Sequence, residues 1–82
     1  MNNEAITDAL REIFERECGA PLPEKLDVDI QRELGLDSLQ QQTVVIEIES
    51  HFDIDFDPLA EVITTVEDVV AVVTRCIEER EL

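Results

Sequence analysis

The spacing of apolar residues near the two ends of the chain constrains the fold most. Ile6, Ala9, Leu10, Ile13 and Phe14 fall at i, i+3, i+4, i+7 and i+8, which puts them on one face of an α-helix. This predicts an amphipathic helix over residues 3 to about 17, with Arg11, Glu12, Glu15 and Arg16 on its other side. Gly19 supplies a C-terminal stop, and Pro21 and Pro23 forbid continuation. A second stripe runs through Val69, Val70, Val73 and Ile77, beginning near Val66 and fraying into Glu78, Glu79, Arg80 and Glu81. Thr64 or Thr65 is placed to cap that helix, and the Thr64-Val66-Glu67 neighbourhood fits a capping box. Two one-faced helices need a third element to complete a core.

The middle of the chain is less direct. Val44, Ile46, Ile48, Phe52, Ile54 and Phe56 alternate with mostly polar residues and include several β-branched ones, a pattern that also suits a strand. A helix from Ser38 to Phe52 is equally consistent, because Val44, Val45, Ile48 and Phe52 then share one face. In that case Leu39 and Ile46 lie roughly opposite, apolar and exposed. Between the first helix and this segment, residues 19–37 form a long connection for so small a domain. Its Leu22, Leu26, Val28, Ile30, Leu34 and Leu36 can fold back onto the core.

Composition removes several functions. Eighty-two residues make one domain, residues 1–82, too small for a deep active site of its own. Nothing at the N-terminus reads as a signal sequence, and no 18-residue apolar run is present. The 21 acidic residues against six basic ones give a formal net charge of −15, which disfavours nucleic acid and anionic membranes and attracts partners with basic patches. Apolar residues at 44% argue against disorder despite that acidity. Cys18 and Cys76 lack the paired spacing of a metal or redox motif and read as two free thiols in a reducing, cytoplasmic setting, a disulfide requiring the first and last helices to meet there. Asp53, Asp55 and Asp57 imitate the start of a calcium loop, but Pro58 replaces the needed glycine and Thr64 the closing glutamate, so no metal site is expected. The one histidine, His51, lies 13 residues and ~20 Å of helical rise beyond Ser38, so the two cannot act as base and nucleophile. The chain is not expected to be an enzyme.

The stretch Gly35-Leu36-Asp37-Ser38-Leu39 carries the chemistry. Asp37 suits the position before a helix, and Gln40, three residues on, completes a capping box. Ser38 then sits in the first turn, where free amides and the dipole favour an anion, so a phosphate esterified to its hydroxyl would be stabilised. Alone, Asp-Ser-Leu would be an ordinary helix cap; the acidity, the length and the downstream pattern turn the balance.

The same stretch resembles the attachment site of acyl carrier proteins, in which the serine of a G-x-D-S-L motif carries a 4'-phosphopantetheine arm. Glu49, Phe52 and Asp53, and then Ile63-Thr64-Thr65-Val66, also resemble that family, so the likeness covers roughly the whole chain. It implies an all-α, four-helix bundle with a long first loop and a short third helix, here near residues 59–62, and it settles Ser38 to Phe52 as helix. It implies Ser38 as the covalent site, flanked by Asp37 and Leu39, with the arm drawn from coenzyme A by a phosphopantetheinyl transferase. It further implies a monomer whose docking face comprises Leu39, Gln40, Thr43, Ile46, Glu47 and Glu49, read by loading, condensing or tailoring enzymes with basic patches.

The chain departs from housekeeping fatty-acid carriers at Gln40-Gln41-Gln42-Thr43, where those carry acidic residues among apolar ones, and in a third-helix region one residue shorter. That favours a discrete carrier of acyl intermediates in a polyketide or other specialised pathway. The alternatives are an aminoacyl or peptidyl carrier, a fatty-acid carrier, and an acidic helical adaptor without a prosthetic group.

Overall fold

In the computed structural model, which describes residues 2–56 and 63–80, the described residues form three helices, α1 (Asn3–Cys18), α2 (Ser38–Phe52) and α3 (Val66–Arg80). Among the described residues there is no strand, only an isolated bridge between Asp29 and Thr65. The short helix expected near residues 59–62 lies outside the described residues. No described helix is long and apolar enough to cross a membrane.

Local signals fix the helix ends. Asn2 caps α1 by accepting the Ala5 amide at 2.8 Å. Gly19 closes it in the left-handed region at φ 75°, returning its amide to the Glu15 carbonyl at 2.8 Å, a conformation in which a side chain would be strained. α3 starts with a reciprocal cap: the Thr65 hydroxyl accepts the Asp68 amide, and the Asp68 carboxylate accepts the amides of Thr65 and Thr64 at 3.0 and 2.9 Å. The box therefore pairs Thr65 with Asp68 and does not involve Glu67. Those bonds to the charged form hold the Asp68 carboxyl below the usual carboxylate range.

The core is one cluster shared by the three helices and the long loop. α1 contributes Ile6, Leu10, Ile13 and Phe14, as its spacing predicts. α2 turns Val44, Ile48 and Phe52 inward and leaves Leu39 and Ile46 at 72% and 59% exposure. The strand-like alternation was thus an outward apolar pair superposed on a helical stripe. Val45, expected within that stripe, is half-buried, because the inward face is centred on Ile48 and Val45 falls at its edge. In α3 the buried residues are Val66, Val69, Val72, Val73 and Ile77. Val70, expected among them, is half-buried instead. Val70 and Val72 sit at opposite edges of the buried arc, and periodicity alone does not say which edge is covered.

The loop does fold back. Leu22, Leu26, Ile30 and Leu36 are buried, and Val28 and Leu34 pack partly against them. Its backbone is tied at both ends. The Arg11 guanidinium donates to the carbonyls of Leu22, Pro23 and Glu24 at 3.2, 2.8 and 2.9 Å, and the Glu15 carboxylate accepts the Leu22 amide at 2.7 Å. Further on, the loop carbonyls of Val28 and Leu26 accept the first-turn amides Val66 and Glu67 of α3 at 3.1 and 2.7 Å. Helix N-termini have no internal acceptors for such amides, so loop and helix complete one another. At the far end of the bundle Arg80 donates to the Phe52 and Asp53 carbonyls at 2.6 and 2.8 Å, placing a cation at the negative end of α2. Cys18 and Cys76 are free thiols.

Candidate functional site

Ser38 is presented by a short scaffold whose parts can be read in order. The Asp29 carboxylate accepts the amides of Gln31 and Arg32 at 3.0 and 2.7 Å, which curls residues 29–34 into a turn. Gly35, at φ 68°, reverses the chain out of it. Leu36 then anchors it: the side chain is buried at 1% exposure, its amide donates to the Ile30 carbonyl at 3.2 Å, and its carbonyl accepts the Gln41 side-chain amide at 2.9 Å. Two residues beyond this fixed point lies Ser38.

Asp37 is the cap of α2, with extended backbone at φ −81° and ψ 179°. Its carboxylate accepts the Gln40 amide at 2.8 Å, while the Gln40 side-chain oxygen accepts the Asp37 amide at 3.1 Å. The capping box read from the sequence is present on both sides. Gln40, expected to face a partner, is thereby half-buried and partly committed to the helix start. Ser38 itself is exposed, and its hydroxyl bonds to no described residue. Because Gln40 is the first amide taken by the cap, the Ser38 and Leu39 amides remain directed out of the first turn.

The other expected site residues divide. Leu39 and Ile46 form an exposed apolar pair two turns apart on the outward face of α2. Thr43 is half-buried and returns its hydroxyl to the Leu39 carbonyl at 3.1 Å. Glu47 is engaged by Arg16 of α1 at 3.0 Å. Glu49 accepts the Phe56 amide at 3.3 Å, holding the turn after α2. Gln41 was not anticipated; an amide side chain on the inward side of an apolar stripe was the available signal. Beside Ser38, a cleft of about 290 Å³ is lined by Ser38, Gln42, Val45, Ile48, Ile63 and Val69, among others. His51 stands edge-on to Phe52, ring centroids 4.8 Å apart, and it does not line this cleft.

The described residues thus place an exposed serine hydroxyl at a helix N-terminus beside an apolar cleft, with the one histidine elsewhere on α2. The family model for the phosphopantetheine attachment site matches residues 8–73, from the first turns of α1 through α2 to Val73 of α3. The chain therefore belongs to the phosphopantetheine-binding carrier family, whose prosthetic group is covalently attached 4'-phosphopantetheine. The described residues fit such a group: a hydroxyl to esterify, outward amides and a helix dipole for its phosphate, and a cleft beside them.

Proposed function

We propose that residues 1–82 act as a discrete acyl carrier protein with Ser38 as the point of attachment. The observation that carries this is the free Ser38 hydroxyl in the capped first turn of α2, the described serine that combines exposure, anion-favouring amides and the cleft. When bound, the arm supplies a terminal thiol that holds intermediates as thioesters. The chain's own part is to present, orient and shelter: Asp37 and Gln40 hold the helix start, Leu36 and Gln41 fix its position, and Leu39 flanks the attachment point. It performs no bond-making itself, and the phosphopantetheinyl transferase, with coenzyme A and magnesium, supplies the chemistry. The domain is proposed as a cytoplasmic monomer of the four-helix carrier type.

The polar run Gln40-Gln41-Gln42-Thr43 favours a polyketide or other specialised pathway over fatty-acid synthesis, since it offers no acid to enzymes that read charge there. Incubation with a broad-specificity transferase and coenzyme A should add one phosphopantetheine, seen by intact-protein mass spectrometry, and Ser38→Ala should abolish the addition. Persistent modification of the variant would overturn the assignment.

A further inference from the structure

Around the proposed attachment point the outward face of α2 is unlike the rest of this acidic molecule. Leu39 and Ile46 are its two exposed large apolar residues. Gln42 and Ser50 are exposed and uncharged. Glu49 is turned to the Phe56 amide. The remaining acid, Glu47, carries a cation brought from another helix: Arg16 of α1 donates to Glu47 Oε2 at 3.0 Å, with side chains 60% and 32% exposed. Arg16, Ile46, Glu47, Ser50 and His51 together line one shallow depression. The hydrogen bond and charge of Glu47 raise the Arg16 pKa further, and Glu12 and Glu17 add to the pull. The face thus carries one unmatched carboxylate, Glu49, in a chain of net charge −15.

We infer that Arg16 is a specificity-determining residue of the docking face, occupying Glu47 so that a partner's basic group can use that carboxylate only by displacing it. This rests on the proposed role of Ser38. Glu47 lies nine residues beyond Ser38, ~14 Å of helical rise, within the footprint of any enzyme seated over the serine. The long-range acidic field still draws in a basic surface. At contact, the partner meets an apolar pair and an acid already matched, and an exposed pair of this kind is worth little enough to be exchanged. Partners that place a Lys or Arg at this point, the transferase among them, are handicapped, and those that rely on Leu39 and Ile46 alone are not.

The test measures kcat/KM for phosphopantetheine transfer by a broad-specificity transferase, the partner that must cover Ser38, at low and high salt. Arg16→Gln should raise kcat/KM about two- to five-fold at low ionic strength, the range an exposed charge pair supports, with the gain shrinking as salt rises. Glu47→Gln alone, which leaves the Arg16 charge facing the partner, should lower kcat/KM modestly at low salt, and adding Glu47→Gln to Arg16→Gln should remove the gain. Arg75→Gln on α3, which changes net charge equally, should give a smaller gain that persists beside Glu47→Gln. The inference falls if Arg16→Gln leaves kcat/KM unchanged or lowers it while the thermal melt is intact, or if its gain survives Glu47→Gln. If the parent chain accepts no phosphopantetheine, the role of Ser38 itself fails; if it does and Arg16→Gln is silent, only the role of Arg16 fails.

Discussion

Replacing Phe52 by alanine tests the orientation of α2, on which both the core and the proposed docking face depend. Phe52 is 4% exposed on the inward stripe with Val44 and Ile48. Truncating a buried phenylalanine removes its transfer free energy and leaves a partly unrelaxed cavity, together ~3–5 kcal/mol. A domain of this size has a total stability of roughly 5–15 kcal/mol. At ~4–8 °C per kcal/mol for domains of 60–100 residues, the melting temperature should fall by at least ~12 °C. Ile46 makes the control, because at 59% exposure most of its surface already meets water. Ile46→Ala should cost no more than about 1 kcal/mol, below the ~2–5 kcal/mol of truncating a core isoleucine to alanine. Thermal melts followed by far-ultraviolet circular dichroism would measure both. Equal losses would mean that the two faces of α2 are reversed, and the docking argument would go with them.

Two further outcomes follow from the caps and from the polar run. Asp68→Ala should lower the melting temperature at neutral pH by removing the acceptor of the Thr64 and Thr65 amides. The folded-state pKa of Asp68 is depressed, so its contribution is full above the ordinary carboxylate range and fades as pH falls through the depressed value. The gap between parent and variant should therefore close in acid, and a gap that stays constant on acidification would refute that origin. Gln40→Glu with Thr43→Glu, which keeps an acceptor for the Asp37 amide, should raise turnover by fatty-acid synthase enzymes, more at low salt than at high. A parent chain that already serves those enzymes as well as a housekeeping carrier does would refute the specialised-pathway reading.

What the sequence disclosed followed from how local each signal is. The α2 start was legible because Asp37 and Gln40 meet within one turn, and the α1 stripe because every buried member lies on one regular face. Edges were not legible: Val45, Val70 and Val72 are sorted by which neighbour covers them, a tertiary fact. The α3 cap was misplaced by one residue because glutamate and aspartate, at 67 and 68, both suit such a box, and only the loop carbonyl of Leu26, which takes the Glu67 amide, separates their roles. At the site, Ser38, Asp37, Leu39 and Ile46 were visible as types at a spacing. The tie between Gln41 and Leu36 and the ion pair between Arg16 and Glu47 were not, since the first joins a helix to a loop and the second joins residues 31 apart in sequence.

The exchange of amides and carbonyls between the loop and the head of α3 has a temporal consequence. The acceptors for Val66 and Glu67 come from Val28 and Leu26, and the Ile30 amide in turn needs Thr64. A chain emerging in order from its N-terminus makes the loop long before it makes these partners, and contacts between such distant segments form late. Ile30 thus faces both ways, its carbonyl holding Leu36 locally and its amide waiting for Thr64. A chain that stops before Thr64 therefore lacks the partners of Leu26, Val28 and Ile30, whereas the bonds around Leu36, Asp37 and Gln40 lie within residues 29–41 and are already available to it.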